Sequence, residues 1–351
     1  MIIKLEFSFS IPVPTPRLEY MIDGSKRAEA SGFHSIFYAD HTTMLNSPGT
    51  CYDALCFLTA LAMETKKLNL CTGVSDCHRF NPALMAHKIA TLDIISKGRA
   101  MLGIGAGEAM NIDLYGLKRN KSVSKLREYI ELIRKFWTKK RINLMSEFWG
   151  TMKNAFIQIK PIQRTPPIYI AANSPKTRKI AGELGDGWYP IIETPWTYKE
   201  NYKEVVEGAK NVGRDPIEID YVYDCFVAID NDNPQRAIER CDFFKTSYLV
   251  NPKKINQAYP NVCLPENLTI HNILLDSEGI ADLLKYIDRL PNTIHTDLNC
   301  LGTTDDVITS IEKFKKAGAT HLALMNRGPD VNKVYEIFRD IIIPYFREMD
   351  D

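Results

Sequence analysis

Residues 68–104 read LNLCTGVSDCHRFNPALMAHKIATLDIISKGRAMLGI. The stretch opens with a short β-rich run, Leu68 to Thr72, and closes with another, Ala100 to Ile104. Between them, Pro82 to Ile95 is predicted to be a helix, and its first turn contains a proline, as helix starts often do. Two strands joined through a helix form a βαβ unit, which is typical of parallel sheets.

The same alternation continues along most of the 351 residues. Eight such units favour a (β/α)8 TIM barrel, a class of α/β fold, over an open doubly wound sheet. The length alone suggests two domains, but barrels reach this size as one, so we expect a single domain over residues 1–351. The predicted strands are Ile2 to Phe9, Ser35 to Tyr38, Leu68 to Thr72, Ala100 to Ile104, Pro167 to Ala171, Gly187 to Ile191, Glu218 to Ala228 and His321 to Met325.

Two segments break the alternation. Residues 143–159 are rich in aromatic residues and Met, and they are predicted to form a hairpin-like insertion. Residues 248–299 carry four prolines and little periodicity, and they are predicted to form a lid or extra helices. Long insertions in a barrel usually lie where ligands bind.

The composition excludes several classes of protein. With 45% hydrophobic residues and 44 basic against 43 acidic side chains, the chain is neither disordered nor basic enough to favour a nucleic-acid partner. No run approaches the ~18 apolar residues of a membrane span, and the proline-rich start does not resemble a secretory signal, so a cytoplasmic protein is expected. The eight cysteines and seven histidines lack metal-site spacing, so no metal is expected.

Catalytic residues of a barrel follow its strands. Asp40 and His41 follow the second predicted strand. They are candidates for an acid/base pair, because histidine titrates near neutrality and a carboxylate can raise its pKa. The alternative is an aspartate that caps the next segment beside an exposed histidine.

A glycine-rich run follows the fourth predicted strand. Gly103, Gly105 and Gly107 alternate with other residues, and Glu108 stands where a dinucleotide-binding motif would need its third glycine. The run therefore argues against a Rossmann site. It suggests a backbone that lets a flat ring approach, with Glu108 directed at the reacting centre; a turn that needs positive φ is the alternative.

Two further positions are candidates. Glu6 lies in a core strand, where a carboxylate is costly unless it is used or paired, so it has either a catalytic role or a salt bridge. Asn173 and Ser174 precede Pro175, which opens a helix that contains Lys176. A helix N-terminus binds phosphate readily; the alternative is that the basic residues that follow form a solvated face.

Several motifs together resemble the bacterial-luciferase-like superfamily, and within it the branch that uses the deazaflavin coenzyme F420. The resemblance spans nearly the whole chain, and the run G-x-G-x-G-E-A-x-N is fairly specific for that branch. The matching segments are 79–83, 90–93, 98–100, 103–111, 40–41, 168–172 with Pro175, 181–182 with 185–187, 213–216, 302–303 and 316–318.

The resemblance implies a luciferase-like TIM barrel that binds F420 at the carboxyl ends of its strands. It implies a non-prolyl cis peptide bond at Gly73 and Val74, behind the deazaflavin, with the coenzyme phosphate at the turn from Asn173 to Lys176. The residues expected at the coenzyme are Asp40, Thr72, Gly73, Val74, Gly105, Gly107, Asn111, Ala172, Asn173, Ser174 and Lys176. The residues expected to be catalytic are His41, Glu108 and Glu6.

The same resemblance ranks the substrates. A strand-one Glu followed by Phe, here Glu6 and Phe7, fits methylenetetrahydromethanopterin reductases, so archaeal one-carbon metabolism of the kind found in methanogenesis is favoured. The alcohol and sugar-phosphate enzymes have Trp four residues after the His, where this chain has Leu45. The sugar-phosphate enzymes also have basic residues beyond strand six, where this chain reads Glu193 to Trp196.

Three further expectations follow from the superfamily. A ketoreductase or secondary-alcohol dehydrogenase is the first alternative to the pterin reductase, because the layout beyond strand six resembles that of the ketoreductases. A monooxygenase that uses FMN instead of F420 is the second alternative. A homodimer, or a higher homo-oligomer, is the expected assembly.

Overall fold

The computed structural model describes residues 4–11, 17–44, 49–269 and 277–350. The strands within these ranges are β1 (Glu6–Ile11), β2 (Ser35–Tyr38), β3 (Asn69–Thr72), β4 (Ser75–Asp76), β5 (Ala100–Gly105), β6 (Ile142–Ser146), β7 (Gly150–Ala155), β8 (Ile168–Ile170), β9 (Gly187–Trp188), β10 (Asp220–Ile229), β11 (Cys300–Gly302) and β12 (His321–Asn326). The α-helices are α1 (Leu18–Ala30), α2 (Ala54–Glu64), α3 (Pro82–Ser96), α4 (Ala109–Ile112), α5 (Ser122–Thr138), α6 (Pro175–Leu184), α7 (Pro195–Asn211), α8 (Pro234–Glu239), α9 (Lys245–Leu249), α10 (Pro252–Ala258), α11 (Ser277–Leu284), α12 (Ile294–Leu298), α13 (Thr304–Ala317), α14 (Val331–Ile337) and α15 (Ile343–Asp350).

Eight parallel strands close into a barrel, which confirms the predicted fold class. The order around the ring is β1, β2, β3, β5, β8, β9, β10 and β12, and β12 pairs back to β1. The short β4 extends the edge of β5, and β11 pairs with the carboxyl end of β10. All eight predicted strands are present, although the sixth is shorter than expected. Pro190 has no N–H for the ladder, so β9 ends at Trp188.

Local sequence signals set the helix boundaries. Asn81 accepts a hydrogen bond from the backbone N–H of Ala83 at 2.9 Å, and Pro82 supplies the first residue of α3. Ser174 and Thr177 form a capping box at the start of α6, again with a proline in the first turn. These caps fix where the loops after β3 and β8 end, and therefore where their polar residues lie.

The strands alternate between two cores. Tyr221 and Tyr223 of β10 face the surrounding helices, whereas Val222 faces the interior of the barrel. Seven residues plug the interior at this level: Phe37, Cys71, Met101, Tyr169, Tyr189, Val222 and Ala323. The barrel is a packed core below this plug, so a ligand can enter only from an open end.

The two segments that break the alternation have their own structure. β6 and β7 form an antiparallel hairpin. The described part of residues 248–299 is helical and buries a separate apolar cluster: Tyr248, Leu249, Val250, Ile255, Val262, Leu264, Leu283, Leu290, Ile294 and Leu298. Within the described ranges, no helix is both long enough and apolar enough to cross a membrane.

Candidate active site

The loops after β2 and β3 are tied together at the carboxyl end of the barrel. Asp40 is buried, and its Oδ2 accepts a hydrogen bond from the Ser75 hydroxyl at 2.5 Å. The same carboxylate forms an ion pair with Arg79 at 2.8 Å, and Arg79 also pairs with Asp76. Asp40 is therefore engaged by its own chain, and its clearest role is to hold these two loops in place.

His41 is held by an asparagine that belongs to a different loop. The Asn111 side-chain oxygen accepts a hydrogen bond from the backbone N–H of Thr42 at 2.9 Å, which orients the amide. The amide nitrogen then donates to Nδ1 of His41 at 2.8 Å. Because Nδ1 is an acceptor in this network, neutral His41 carries its proton on Nε2.

Glu108 ends the glycine run directly before α4. Its Oε2 is buried and has no hydrogen-bond partner among the described residues. A buried carboxylate oxygen without a donor is costly, and such groups in folded proteins usually await a ligand or serve in catalysis. Since α4 also carries Asn111, one short helix fixes both Glu108 and the partner of His41.

The wall between β3 and β5 allows an unusually close approach of two backbones. The peptide bond between Gly73 and Val74 is cis, as the family resemblance implies. A Cβ atom on Gly103 would lie 1.9 Å from the carbonyl oxygen of Thr72. One on Gly105 would lie 3.3 Å from the Val74 side chain. Only glycine fits at Gly103, so the surface of this wall carries no side chain at that position.

Thr72 supports this wall from behind. Its hydroxyl donates to the carbonyl oxygen of Gly103 at 2.7 Å and accepts from the Gly103 N–H at 3.0 Å. The side chain is fully buried, so it fastens β3 to β5. Gly107, at the end of the run, has a φ of +89°, where a side chain would be strained.

The turn after β8 is also well ordered by internal bonds. The carbonyl oxygen of Ala172 accepts a hydrogen bond from the Trp188 indole at 2.9 Å, and Asn173 Oδ1 accepts from the Ile191 N–H at 3.3 Å. Ser174 caps α6, so its N-terminal N–H groups begin at this turn. Lys176 instead lines a groove of about 470 Å³ between α5 and α6. That Lys176 binds the coenzyme phosphate stays a prediction.

Glu6 lies at the wrong end of the barrel for catalysis beside His41. It is the first residue of β1 and pairs in register with His321, the first residue of β12. Because the strands are parallel, these starts lie opposite the loops that carry His41 and Glu108. Burial raises the pKa of Glu6, and His321 opposes this. The structure does not bring Glu6 together with His41 and Glu108, because the sequence does not show where along a strand the mouth lies.

Sequence reasoning missed a carboxylate inside the barrel. Asp224 lies on β10 two residues beyond Val222, so it faces the interior one layer above the apolar plug. Its Oδ2 accepts from the Tyr189 hydroxyl at 2.8 Å, and Ser10 also hydrogen-bonds to it. Its Oδ1 is buried without a partner, and burial raises the pKa of Asp224 to about 7. The signal was present, since an acid interrupts an apolar strand there, as it does at Glu6.

The arrangement fits a planar, polar cofactor better than a metal ion. No group of three or more potential metal ligands occurs in the part of the chain that the structure describes. The glycine wall offers a flat surface, the loop after β8 offers a helix N-terminus, and Glu108 offers an acceptor that lacks a donor. These are the groups that a ring with N–H donors and a phosphate-bearing tail needs.

The luciferase-like monooxygenase family model matches residues 3–321. The chain belongs to this family.

Three relatives are similar to this chain over nearly its whole length. An F420-dependent glucose-6-phosphate dehydrogenase of Segniliparus rotundus is 29% identical over 358 residues, 99% of each chain. A 5,10-methylenetetrahydromethanopterin reductase of Archaeoglobus fulgidus is 28% identical over 334 residues, 93% of this chain and 95% of the relative. The solved structure of an F420-dependent secondary alcohol dehydrogenase, in complex with an F420-acetone adduct, superposes with a TM-score of 0.84 at 25% identity, over 98% of this chain and 99% of that one.

Proposed function

We propose that this luciferase-like protein, an F420-dependent oxidoreductase, interconverts a ketone and a secondary alcohol by hydride transfer with the coenzyme. The observation that carries the proposal is the His41–Asn111 pair. Asn111 occupies Nδ1 of His41, so the remaining ring N–H is available to donate a proton or a hydrogen bond to a carbonyl oxygen. The partnerless oxygen of Glu108 lies on the residue directly before α4, the helix that carries Asn111.

The coenzyme and the protein divide the reaction. When bound, reduced F420 supplies a hydride, and the electrophilic carbon accepts it. The protein must then neutralise the charge that develops on the substrate oxygen. Nε2–H of His41 is placed to do so, and Glu108 can hold or return the proton. The residues that would hold the coenzyme are those of the wall, Gly73, Val74 and Gly105, and the turn at Asn173 and Ser174.

The pairing of one buried lysine favours this substrate class over a sugar phosphate. Lys254, from the insertion, is buried and donates to the Ile191 carbonyl oxygen at 2.8 Å. It also forms an ion pair with the buried Glu193, so the lysine that reaches the loop after β9 is already neutralised. A phosphate would have to displace Glu193, and breaking such a buried pair is strongly unfavourable. Leu45, the other position that separates these substrates in sequence, lies outside the described residues.

A methylenetetrahydromethanopterin reductase is the second candidate. The Archaeoglobus relative covers nearly the whole chain, and this supports a pterin substrate. The reason for ranking it first from sequence was Glu6, which lies at the opposite end of the barrel from His41. With an iminium-like carbon no proton need reach an oxygen at the hydride step, so the His41–Asn111 pair would have less to do there.

The test is an anaerobic assay in which reduced F420 is reoxidised by acetone, by other small ketones or by methylenetetrahydromethanopterin. We expect turnover with ketones, and a loss of about 10²- to 10⁴-fold in kcat for His41→Ala and Glu108→Gln. The Kd for F420 should change little in His41→Ala. Glu147→Gln is the control, because Glu147 is exposed on the hairpin. Turnover with the pterin alone would select the second candidate, and turnover only with reduced FMN and oxygen would reject both.

A further inference from the structure

A half-buried arginine at the same end of the barrel has no acidic partner among the described residues. Arg327 directly follows β12, and its backbone N–H donates to the carbonyl oxygen of Val227 on β10 at 2.7 Å. It is therefore fixed at the carboxyl ends of two neighbouring strands. Among the described residues, no carboxylate forms an ion pair with Arg327, and its Nε is buried without any hydrogen-bond partner.

Two aromatic rings pack against its guanidinium. The group lies over the ring of Phe244 at 4.4 Å and over that of Phe226 at 5.8 Å. The two rings pack on each other at 4.3 Å between centroids. Cation–π contacts of this kind orient the group but do not supply a counter-charge. The exposed Arg240 donates to the Arg327 carbonyl oxygen at 3.3 Å, which adds positive charge nearby.

The edge of the guanidinium that carries Nε and Nη2 decides which ligand Arg327 can bind. Among the described residues, Nε has no partner, and Nη2 of the same edge meets only the Sδ of Met325, a weak acceptor, at 3.2 Å. Nε and Nη2 together are the pair of donors that binds a carboxylate in a bidentate manner. Burial lowers the pKa of Arg327 to about 10, yet the group remains charged at neutral pH. A desolvated cation without a counter-charge is costly, and a ligand anion would remove that cost.

We infer that Arg327 anchors a carboxylate of the substrate, which makes the substrate an oxoacid or a hydroxyacid. This inference rests on the proposed ketone–alcohol function. The coenzyme is a less suitable source of the anion, because the helix N-terminus at Ser174 follows β8. Arg327 follows β12, three strands further around the ring. The carboxylate would hold the substrate at the rim while its carbonyl group reaches His41.

The test compares acetoacetate and levulinate with their methyl esters in the wild-type enzyme, Arg327→Gln and Arg327→Lys. The esters keep the ketone and lose only the charge. We expect the wild type to prefer the acids, and Arg327→Gln to raise KM for the acids by about 10- to 100-fold while KM for the esters hardly changes. Arg327→Lys should restore part of the preference. Arg339→Gln is the control, because Arg339 is exposed and pairs with its neighbour Asp340.

Two readouts do not depend on turnover. Calorimetric titration of coenzyme-free protein with levulinate should show binding in the wild type and a loss of at least about 10-fold in Arg327→Gln. The Tm of Arg327→Gln should equal or exceed that of the wild type, because a half-buried charge without a counter-charge has been removed. A clear fall in Tm with unchanged preference for the acids would make Arg327 structural and overturn the inference.

The outcomes separate the two proposals. If no ketone or ester is reduced but levulinate binding still requires Arg327, the carboxylate site stands and the proposed reaction falls. If acids and esters are reduced equally well in all variants, the reaction stands and the carboxylate site falls. If Arg327→Gln instead weakens F420 binding by about 10-fold or more, the anion belongs to the coenzyme and the substrate assignment is overturned.

Discussion

The side-chain amide of Asn111 donates to Nδ1 of His41 across 2.8 Å, although 70 residues separate the two in the chain. The amide cannot turn over without losing its bond from the Thr42 N–H. The tautomer of His41 is therefore set by a helix that follows a different strand. Sequence motifs marked Asn111 as a residue near the coenzyme, whereas its contacts make it the positioning residue for His41.

Asn111→Asp should reverse this tautomer. A carboxylate can only accept, so neutral His41 would place its proton on Nδ1 and lose the donor at Nε2. At a pH where His41 is neutral, we expect kcat to fall by about 10-fold or more, with little change in the Kd for F420. Nitrogen NMR of the His41 ring reports the tautomer directly. An unchanged Nε2–H signal together with unchanged kcat would remove Asn111 from this role; Asn143→Asp, in the exposed hairpin, is the control.

Asp224→Asn should change how stability depends on pH. The folded-state pKa of about 7 lies above the usual value of 3.8, so the folded protein keeps a proton that the unfolded chain has released. The stability that Asp224 contributes is then present below its pKa in the unfolded chain and is lost as pH rises towards 7. Asparagine does not titrate, so the variant keeps its stability over this range. The wild type loses at most roughly 4 kcal/mol in the free energy of unfolding. Tm measured from pH 4 to pH 8 should converge for the two proteins at the acid end and diverge at the alkaline end.

If the curves of Tm against pH run parallel for the wild type and Asp224→Asn, Asp224 titrates normally. The groups that face Asp224 are the Tyr189 and Ser10 hydroxyls, and neither is charged in this range, so no other titration should distort the comparison. If Asp224 also holds a proton for the reaction, the pH profile of kcat should lose one limb in the variant. An unchanged profile would confine Asp224 to a structural role.

Glu6→Gln should leave catalysis intact. Glu6 lies among the strand starts, beside His321 and Asp220, so we expect kcat within roughly twofold of the wild type with any substrate. Burial raises the pKa of Glu6 despite the opposing charge of His321, so stability that Glu6 contributes at acid pH is lost as pH rises. The variant should therefore be at least as stable as the wild type near neutrality. A large selective loss of pterin turnover would instead revive the catalytic assignment.

Gly103→Ala should destabilise the protein more than any surface glycine change. The added Cβ would lie 1.9 Å from the Thr72 carbonyl oxygen, and the backbones of β3 and β5 would have to separate. We expect a loss of about 3 kcal/mol or more in the free energy of unfolding, measured by urea denaturation. Gly24→Ala is the matched control. It lies within α1, its Cβ would meet only the Tyr335 hydroxyl at 3.4 Å, and the change should be neutral or stabilising.

Local patterns were sufficient for the elements of the fold. The stretch from residue 68 to residue 104 contains a strand, a proline-started helix and a second strand, and the structure has all three as β3, α3 and β5. The polar residues after β2 and β5 also lie at the carboxyl ends of these strands, as expected for a (β/α)8 barrel. Both predictions succeed because apolar runs, caps and glycines act over a few residues and leave their mark in the sequence.

Local sequence patterns do not predict at which end of the barrel a strand residue lies. Glu6 and Asp224 are both acids in barrel strands, and only the register of the closed sheet separates the end that carries His321 from the layer above Val222. In the same way, Lys254 and Glu193 are 61 residues apart and meet only because the insertion folds back on the loop after β9.

The sequence by itself determined the family, the eight βα units and the candidates His41 and Glu108. The tertiary structure alone decided that Asn111 sets the tautomer of His41 and that Glu6 lies at the far end. It also decided that one oxygen of Asp224 and Nε of Arg327 are buried without a partner among the described residues. The physical reason is that burial and hydrogen bonding depend on contacts between distant segments, whereas helices, strands and their caps depend on near neighbours.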